Sequence, residues 1–376
     1  MNLIIVSPFP PYRGGISKES EVLYKGFLKK GHNVKAINFI KLYPDIFFPG
    51  KTQYLEKTNF KESFRLISTY NPFTWSKTIK KIVSFNADAV IFRYWHPILI
   101  PSYYYIAKKL KKYNSKLKIY CICDNVFPHE NFLFIDKYLI KNFLNIYNGI
   151  FCMSNKVKKE LKSLNEHYNI KNIFLPIKEE YGENISKEKA KNILQIKENK
   201  IILFFGLVRS YKGLNVLIKA ISKLSQQKFK DFKLLIVGEC YDSKQKYNAL
   251  IKKLNVNDKI LWIDKYISDK DINLYFSVAD MVVLPYLEST QSGIIPIAYN
   301  FNKIVVSSDI RGLNEFVQNG KTGFLFKRND QQELYEILNK IIHFDSFDAF
   351  TKNIAVYKKK FTVEALVEEM INFMDK

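Results

Sequence analysis

Arginine is scarce in this sequence: of the 59 basic residues only Arg13, Arg65, Arg93, Arg209, Arg311 and Arg328 carry a guanidinium, and the rest are lysine. Acid is short as well, 36 Asp and Glu against those 59, so the formal net charge is +23. No unbroken apolar run approaches the roughly 20 residues a membrane-crossing helix needs, which argues against an integral span. Cysteine is limited to Cys121, Cys123, Cys152 and Cys240. The Cys-x-Cys pair lies in a β-like run, so neither a disulfide framework nor a tetrahedral zinc site is supported, and buried free thiols are expected. The opening MNLIIVSPFPPYRGG has no basic n-region, long apolar stretch or small-residue cleavage site and reads as cytosolic.

What is present is material for burial. The 376 residues are 47% hydrophobic and 15% aromatic, enough for two domains with sizeable cores. Short β-branched runs (NLIIV, NVKAINF, ADAVIF, KLKIYCI, GIFCM, NIFLP, then KIILFF, KLLIVG, KILWI, MVVLP, KIVVSS) alternate with segments of helical periodicity. That order predicts parallel sheets covered by helices on both faces. A polar stretch, 177–198, separates two such series, so the expectation is two doubly wound domains with a functional cleft between them. The stretch 39–62, with Pro44 and Pro49, reads as an irregular excursion from the first sheet.

Charge is unevenly spread: residues 1–180 hold 29 basic and 13 acidic side chains (+16), residues 181–376 hold 30 and 23 (+7). The first half is thus suited to an anionic partner, with phospholipid headgroups, a phosphate-bearing acceptor and nucleic acid as candidates. A lysine-rich compositional bias explains the same excess without any partner.

Four segments carry candidate chemistry. SPFPPYRGGISKE (Ser7 to Glu19) follows a strand and opens a helix; Gly14 and Gly15 allow close backbone approach, and Ser17 is a candidate helix cap. FFGLVRSYKG ends a strand at Gly206 and puts Arg209 and Lys212 on the loop before an amphipathic helix, where two cations suit a diphosphate. It does not match the GxxxxGK[ST] phosphate loop. LPYLESTQSGIIPIAYNF places Glu288 in a loop and Thr290, Gln291, Ser292 and Gly293 at the next helix start. SSDIRGLNEFVQNGKTGFLF puts Glu315 after another strand, where a carboxylate can bond ribose hydroxyls.

The order FFGLVRSYKG, LLIVGE, YISDKDINLYFSVADMVVLPY, ESTQSG, GLNEFVQNGKTGFLF resembles the group 1 retaining glycosyltransferases, glycosyltransferase family 4. The likeness is collinear over about 198–330 and weaker over 1–175. It implies the GT-B fold: two facing Rossmann-like α/β domains with doubly wound parallel sheets and an interdomain cleft. The boundaries are then 1–176 for an acceptor-binding domain, 177–198 for a linker and 199–360 for a nucleotide-sugar-binding domain. A helix in 361–376 would cross back to the first domain.

By the same resemblance Arg209 and Lys212 clamp the donor diphosphate and neutralise the leaving group, Glu288 stands near the donor sugar, and Thr290, Gln291, Ser292 and Gly293 meet the phosphates. Gly15 and Gly206 join the donor set. The family spaces two glutamates with seven residues between, but eight positions after Glu288 stands Pro296; ribose binding then passes to Glu315 or to backbone. Leu207 replaces an arginine often found directly after the strand glycine. In the first half, Asp124 takes the place of a family histidine, with His129 five residues on; either orients sugar hydroxyls, or His129 is a plain loop residue. Arg93, Trp95 and His96 form a loop suited to an acceptor sugar face, with packing under the next helix as the competing reading. The DxD of Asp269 and Asp271 reads as N-capping acids.

The expectation is a retaining, metal-independent transfer, without cofactor, from a nucleotide sugar to a glycan or lipid-linked acceptor. Surface-polysaccharide assembly and an anionic membrane surface are the associated context. A catalytically silent GT-B-like binding protein and a nucleic-acid binder are the alternatives, the latter lacking any reading motif.

Overall fold

The computed structural model describes residues 1–43, 53–55, 60–127, 134–177, 181, 185–289 and 291–375, with side chains 134–136 excluded. The chain divides into two compact units, Met1–Phe174 with Val363–Lys376, and Leu175–Thr362.

The first unit runs β1 (Asn2–Val6), α1 (Gly15–Lys29), β2 (Asn33–Lys41), β3 (Ser63–Ser68), α2 (Pro72–Val83), β4 (Ala89–Tyr94), α3 (Ile100–Tyr113), β5 (Lys118–Cys123), α4 (Phe134–Leu144), β6 (Gly149–Cys152), α5 (Asn155–Leu164) and β7 (Ile170–Asn172). Its seven strands pair in parallel in the order β3-β2-β1-β4-β5-β6-β7. The sheet therefore grows outward both ways from β1 and β4. Right-handed crossovers in opposite directions place helices on opposite faces. One face packs Ile4, Phe92, Tyr103, Ile140 and Leu161 into a common core.

The second unit runs α6 (Lys187–Leu194), β8 (Lys200–Phe205), α7 (Leu214–Ser225), β9 (Phe232–Val237), α8 (Lys244–Lys253), β10 (Ile260–Ile263), α9 (Ile272–Val278), β11 (Met281–Leu284), α10 (Ile294–Asn300), β12 (Ile304–Ser308), β13 (Gly323–Phe326), α11 (Gln331–Ile342) and α12 (Asp348–Tyr357). Six parallel strands follow the order β10-β9-β8-β11-β12-β13. Central strands are covered on both faces: Ile201, Ile202, Leu203 and Phe204 of β8 are all fully buried. Each such side chain contributes on the order of 1.5–3 kcal/mol.

The last helix, α13 (Val363–Met374), belongs to the first unit and lies on α1. Gly26 and Gly149 make room for it: a Cβ on the first would stand 2.6 Å from Val363 Cγ1, and on the second 2.6 Å from Phe373 Cε1. Val367 and Met370 are buried there, and the Tyr120 hydroxyl donates to the Met374 carbonyl at 3.0 Å.

Local expectations are corrected at several points. The stretch 177–198, read as linker, contains α6, whose Ala190 is fully buried in the second core. Strands β3 and β13 were not expected, and β7 comes earlier than the run NIFLP. Ser17 does not cap α1: the helix starts at Gly15, the cap position is Gly14, and Ser17 falls inside the first turn. Asp269 and Asp271 form a 3-10 turn in which Ser268 Oγ donates to Asp271 at 2.7 Å, and neither acid caps α9 through its side chain. Cys121, Cys123 and Cys152 are buried thiols outside any disulfide, and burial pushes the Cys121 and Cys123 thiols up; Cys240 is half-buried.

Candidate functional site

In a parallel sheet the loops that leave the carboxyl ends of the strands gather along one edge. In the second unit the loops after β8, β9 and β11 do so. The exits of β8 and β9 are locked together by close backbone contact. Gly238 has φ +143°, and a Cβ there would lie 2.2 Å from the Gly206 carbonyl oxygen. Beyond them Val208 N–H donates to Glu239 O at 2.9 Å and Tyr241 N–H to Val208 O at 3.0 Å. Arg209 follows, then a 3-10 turn, Ser210–Lys212, closed by Gly213 at φ +66° before α7 begins.

Gly213 also sets the loop against the exit of β11. A Cβ at this position would stand 1.9 Å from the Pro285 carbonyl oxygen, and Leu287 N–H donates to Tyr211 O at 2.7 Å nearby. Gly213→Ala therefore meets both a steric clash and a disfavoured backbone angle. It is expected to lower stability by about 2 kcal/mol or more and to disturb ligand binding; an unchanged denaturation midpoint would show that the turn accommodates it.

Lys212 is brought in over Gly206: its Nζ lies 3.0 Å from where a Gly206 Cβ would be, and Ile294 Cδ1 of α10 is 3.5 Å from the same point. The ammonium is 5.4 Å from the centre of the Tyr286 ring. The residue is only 9% exposed, and among the described residues it has no carboxylate partner. Burial, with the charge of Arg209 as a second cause, lowers its pKa to about 8. Arg209 is half-buried with its guanidinium 5.2 Å from the Tyr241 ring, and it too lacks a carboxylate partner among the described residues. A buried ammonium without a counter-ion costs stability. The buried Lys212 ammonium and the half-buried Arg209 guanidinium, on loops leaving the strands, make an anion-receptive edge.

The loop after β11 supplies the next wall. Tyr286 is buried, and burial drives its phenol pKa upward. Ser289 Oγ donates to Gln291 O at 2.7 Å, and Ser292 Oγ accepts from Ile294 N–H at 3.3 Å. Gly293 precedes α10 with nothing within 4 Å of a Cβ built there, so its backbone is open to approach. Glu288 is 55% exposed and only 3.8 Å from the equally exposed Arg328, a loose pair. Glu315 lies half-buried in the turns after β12. Thr290 falls outside the described residues. Tyr241 and Tyr286, which face the two cations, were missed by sequence reasoning; their only signal is an aromatic residue a few positions past a strand.

In the first unit, Gly14 at φ +113° and Gly15 begin α1 without a side-chain cap. The Ser17 hydroxyl in the same turn is buried without a hydrogen-bond partner among the described residues. Arg93, expected at an acceptor face, is instead committed inside the domain. It is 1% exposed; its Nε and Nη2 donate to the two oxygens of Asp124 at 2.7 and 2.9 Å, and Nη2 also donates to Glu19. Burial alone would lower the guanidinium pKa, but the two carboxylates more than offset it and leave it raised. Asp124 is thus a buried partner of Arg93. Trp95 Nε1 donates to the Tyr43 hydroxyl at 2.9 Å, while His96 is exposed and its Nδ1 accepts from Ile98 N–H at 3.2 Å. His129 falls outside the described residues.

Residues 186–360 match the family model of glycosyl transferases group 1. The second unit is a group 1 glycosyltransferase domain. Among curated relatives, an uncharacterized glycosyltransferase of Haemophilus influenzae is 26% identical over 181 residues, 48% of this chain and 50% of that protein. A D-inositol 3-phosphate glycosyltransferase of Pseudarthrobacter chlorophenolicus is 27% identical over 126 residues, 33% of this chain and 30% of that one. The chain thus matches half or less of these relatives' lengths. Solved structures align over the whole chain: sucrose-phosphate synthase from Thermosynechococcus elongatus (TM-score 0.76, 16% identity, 98% of that chain) and Anabaena HepE in complex with UDP and glucose (TM-score 0.76, 15%, 100% of that chain). The fold is GT-B. Within the group 1 glycosyltransferase domain lie Gly206, Arg209, Lys212, Glu288, the Gln291–Gly293 run and Glu315; Gly15, Arg93, Trp95, His96 and Asp124 lie outside the matched stretch.

Proposed function

We propose that this protein transfers a sugar, with retention of anomeric configuration, from a nucleotide-diphosphate sugar to an acceptor hydroxyl. The observation that carries the reading is Lys212, buried beside Arg209 without a carboxylate partner among the described residues. Anabaena HepE has been solved with UDP-glucose and a starch synthase of Arabidopsis thaliana with ADP, which supports a nucleoside diphosphate sugar as the donor class. Lys212 and Arg209 hold the diphosphate. As the bond between the anomeric carbon and the phosphate oxygen breaks, its electron pair passes to that oxygen, where the two cations stabilise the charge. The acceptor oxygen bonds the anomeric carbon from the same face and gives its proton to the departing phosphate.

Glu288, Gln291, Ser292 and Gly293 line the donor, with Thr290 and Glu315 in the same role. In the first unit, Trp95 and His96 contact the acceptor, with His129 orienting sugar hydroxyls. Because two side-chain cations supply the charge, transfer runs without a metal. The acceptor is a glycan or a lipid-linked carrier in surface-polysaccharide assembly.

Thermal shift with UDP, GDP and ADP tests the donor site. A ligand that binds only the folded state at 100 times its Kd adds about 2.7 kcal/mol, so one nucleotide is expected to raise Tm by several degrees, in EDTA as in magnesium. No shift with any of the three would remove the donor assignment, and a shift seen only with magnesium would remove metal independence. Pro296, buried where the family pattern has its second acid, favours one competing reading, a donor-binding protein without turnover. Release of free sugar or product from the bound donor separates the two.

A further inference from the structure

The two helical layers of the first unit differ in charge. On one side the lysines meet acids: Lys30 pairs with Glu368 at 3.3 Å, and Lys29 with Glu364. On the other side lie α2, α3, α4 and α5, the last carrying Glu160 among its lysines; α2 brings Lys77, Lys80 and Lys81, α3 brings Lys108, Lys109, Lys111 and Lys112, and α4 brings Lys137 and Lys141. Residues 70–87 and 96–123 contain no Asp or Glu at all, and Asp136 is the one acid in the sequence of α2, α3 and α4. None of the nine lysines pairs with a described carboxylate.

The same layer turns rings outward. Phe73 is 84% exposed, Tyr113 71% and Tyr138 69%, and Leu139 beside it is exposed too. The helices form one continuous surface: the Trp75 and Tyr105 rings, 5.7 Å apart, join α2 to α3, and α3 contacts α4. On α3, Tyr103, Ile106, Ala107 and Leu110 are buried, so Tyr105, Lys108, Lys109 and Lys112 are left on a single outward stripe. The Lys109 ammonium lies 5.6 Å over Tyr105.

We propose that the α2–α3–α4 face of the first unit docks on an anionic lipid bilayer. Lysines on flexible stems satisfy a diffuse layer of headgroup charge, while exposed Phe, Tyr and Leu side chains enter the interfacial region, where amphipathic rings are favoured. Nucleic acid fits less well. Its phosphates are met best by guanidinium, and this face has no arginine; its bases need aromatic rings aligned along a groove. The proposal does not rest on the transfer reading, because its test reads binding alone.

The full chain is sedimented with vesicles of phosphatidylcholine alone or with about one-third phosphatidylglycerol. Binding is expected only to the anionic vesicles and to weaken with salt over the range where the Debye length falls from about 10 to 3 Å. The Lys80→Glu/Lys109→Glu/Lys112→Glu variant should lower partitioning at least tenfold. The equal charge change at exposed sites of the second unit, Lys219→Glu/Lys252→Glu/Lys253→Glu, should alter it less than twofold. Phe73→Ser/Tyr113→Ser should leave a weaker, purely salt-sensitive binding. Far-UV circular dichroism and melting curves confirm that each variant is folded. The proposal is overturned if the two lysine triples lose binding equally, if the first triple still binds, or if duplex DNA binds as tightly as the vesicles and is lost with the first triple.

Discussion

Replacing Lys212 by Met is expected to lower kcat/KM at least tenfold, about 1.4 kcal/mol of transition-state stabilisation, while leaving the unliganded protein as stable as before or more so. The two halves of that expectation come from one fact. An ammonium at 9% exposure with no described acid beside it is unfavourable in the resting protein. Removing it relieves that cost, and it also removes the charge that meets the departing diphosphate. A lysine with a purely structural role behaves in the opposite way, so a Met variant that melts early yet turns over normally would sink the assignment. Arg209→Ala should lower kcat/KM by a comparable factor.

The same residue sets a pH dependence. Its folded pKa of about 8 lies below the ordinary lysine value, so in the unliganded protein the charge is lost as pH rises through about 8. A bound diphosphate favours the protonated form and raises that pKa. Donor affinity is therefore expected to be highest below pH 8 and to weaken above it, with a proton taken up on binding near pH 8. Stability of the unliganded protein has the reverse sign: between the unfolded lysine value and about 8 the unfolded chain holds the extra proton, so this site destabilises the fold as pH falls through that window. Calorimetric titration of the nucleotide in two buffers of different ionisation enthalpy measures the uptake. Both effects should vanish in Lys212→Met.

The second large effect is expected in the other unit. Arg93→Met leaves the buried carboxylate of Asp124 and the half-buried one of Glu19 without their cation, which should cost about 3–5 kcal/mol. The triad ties β4, the end of β5 and α1 together, so its loss also loosens the start of α1. Arg93→Lys keeps the charge but not the two-pronged contact with Asp124 and should recover only part of the loss. Urea denaturation of the three proteins gives the comparison. A Met variant within about 1 kcal/mol of the parent would mean that the triad is not what holds these elements.

The central strands were legible because burial on both faces writes itself as runs such as KIILFF and KIYCIC. The edges were not. β3 (SFRLIS) has an exposed Phe64 and Arg65, β13 is only Gly323–Phe326, and β7 is three half-buried residues. All three are sheet edges, where one neighbour is missing and the apolar demand is weaker. At the site, the glycine-flanked loop made Arg209 and Lys212 visible, since the same turn chemistry recurs wherever a strand hands over to a helix. The rings of Tyr241 and Tyr286 were not visible, because a tyrosine near a strand end reads equally as core. Arg93 was misplaced for a different reason. Its carboxylate partners lie 31 and 74 residues away, a separation that no local pattern encodes.

The return of α13 to the first unit also has a temporal side. Residues 1–174 leave the ribosome long before Val363, yet the notches at Gly26 and Gly149 are filled by a segment translated after the second domain. During synthesis the opening domain must wait, with an apolar seam along α1 uncovered, until the whole second domain has emerged. An N-terminal fragment made without α13 is therefore expected to aggregate more readily than the full chain, which light scattering of the two at equal concentration checks.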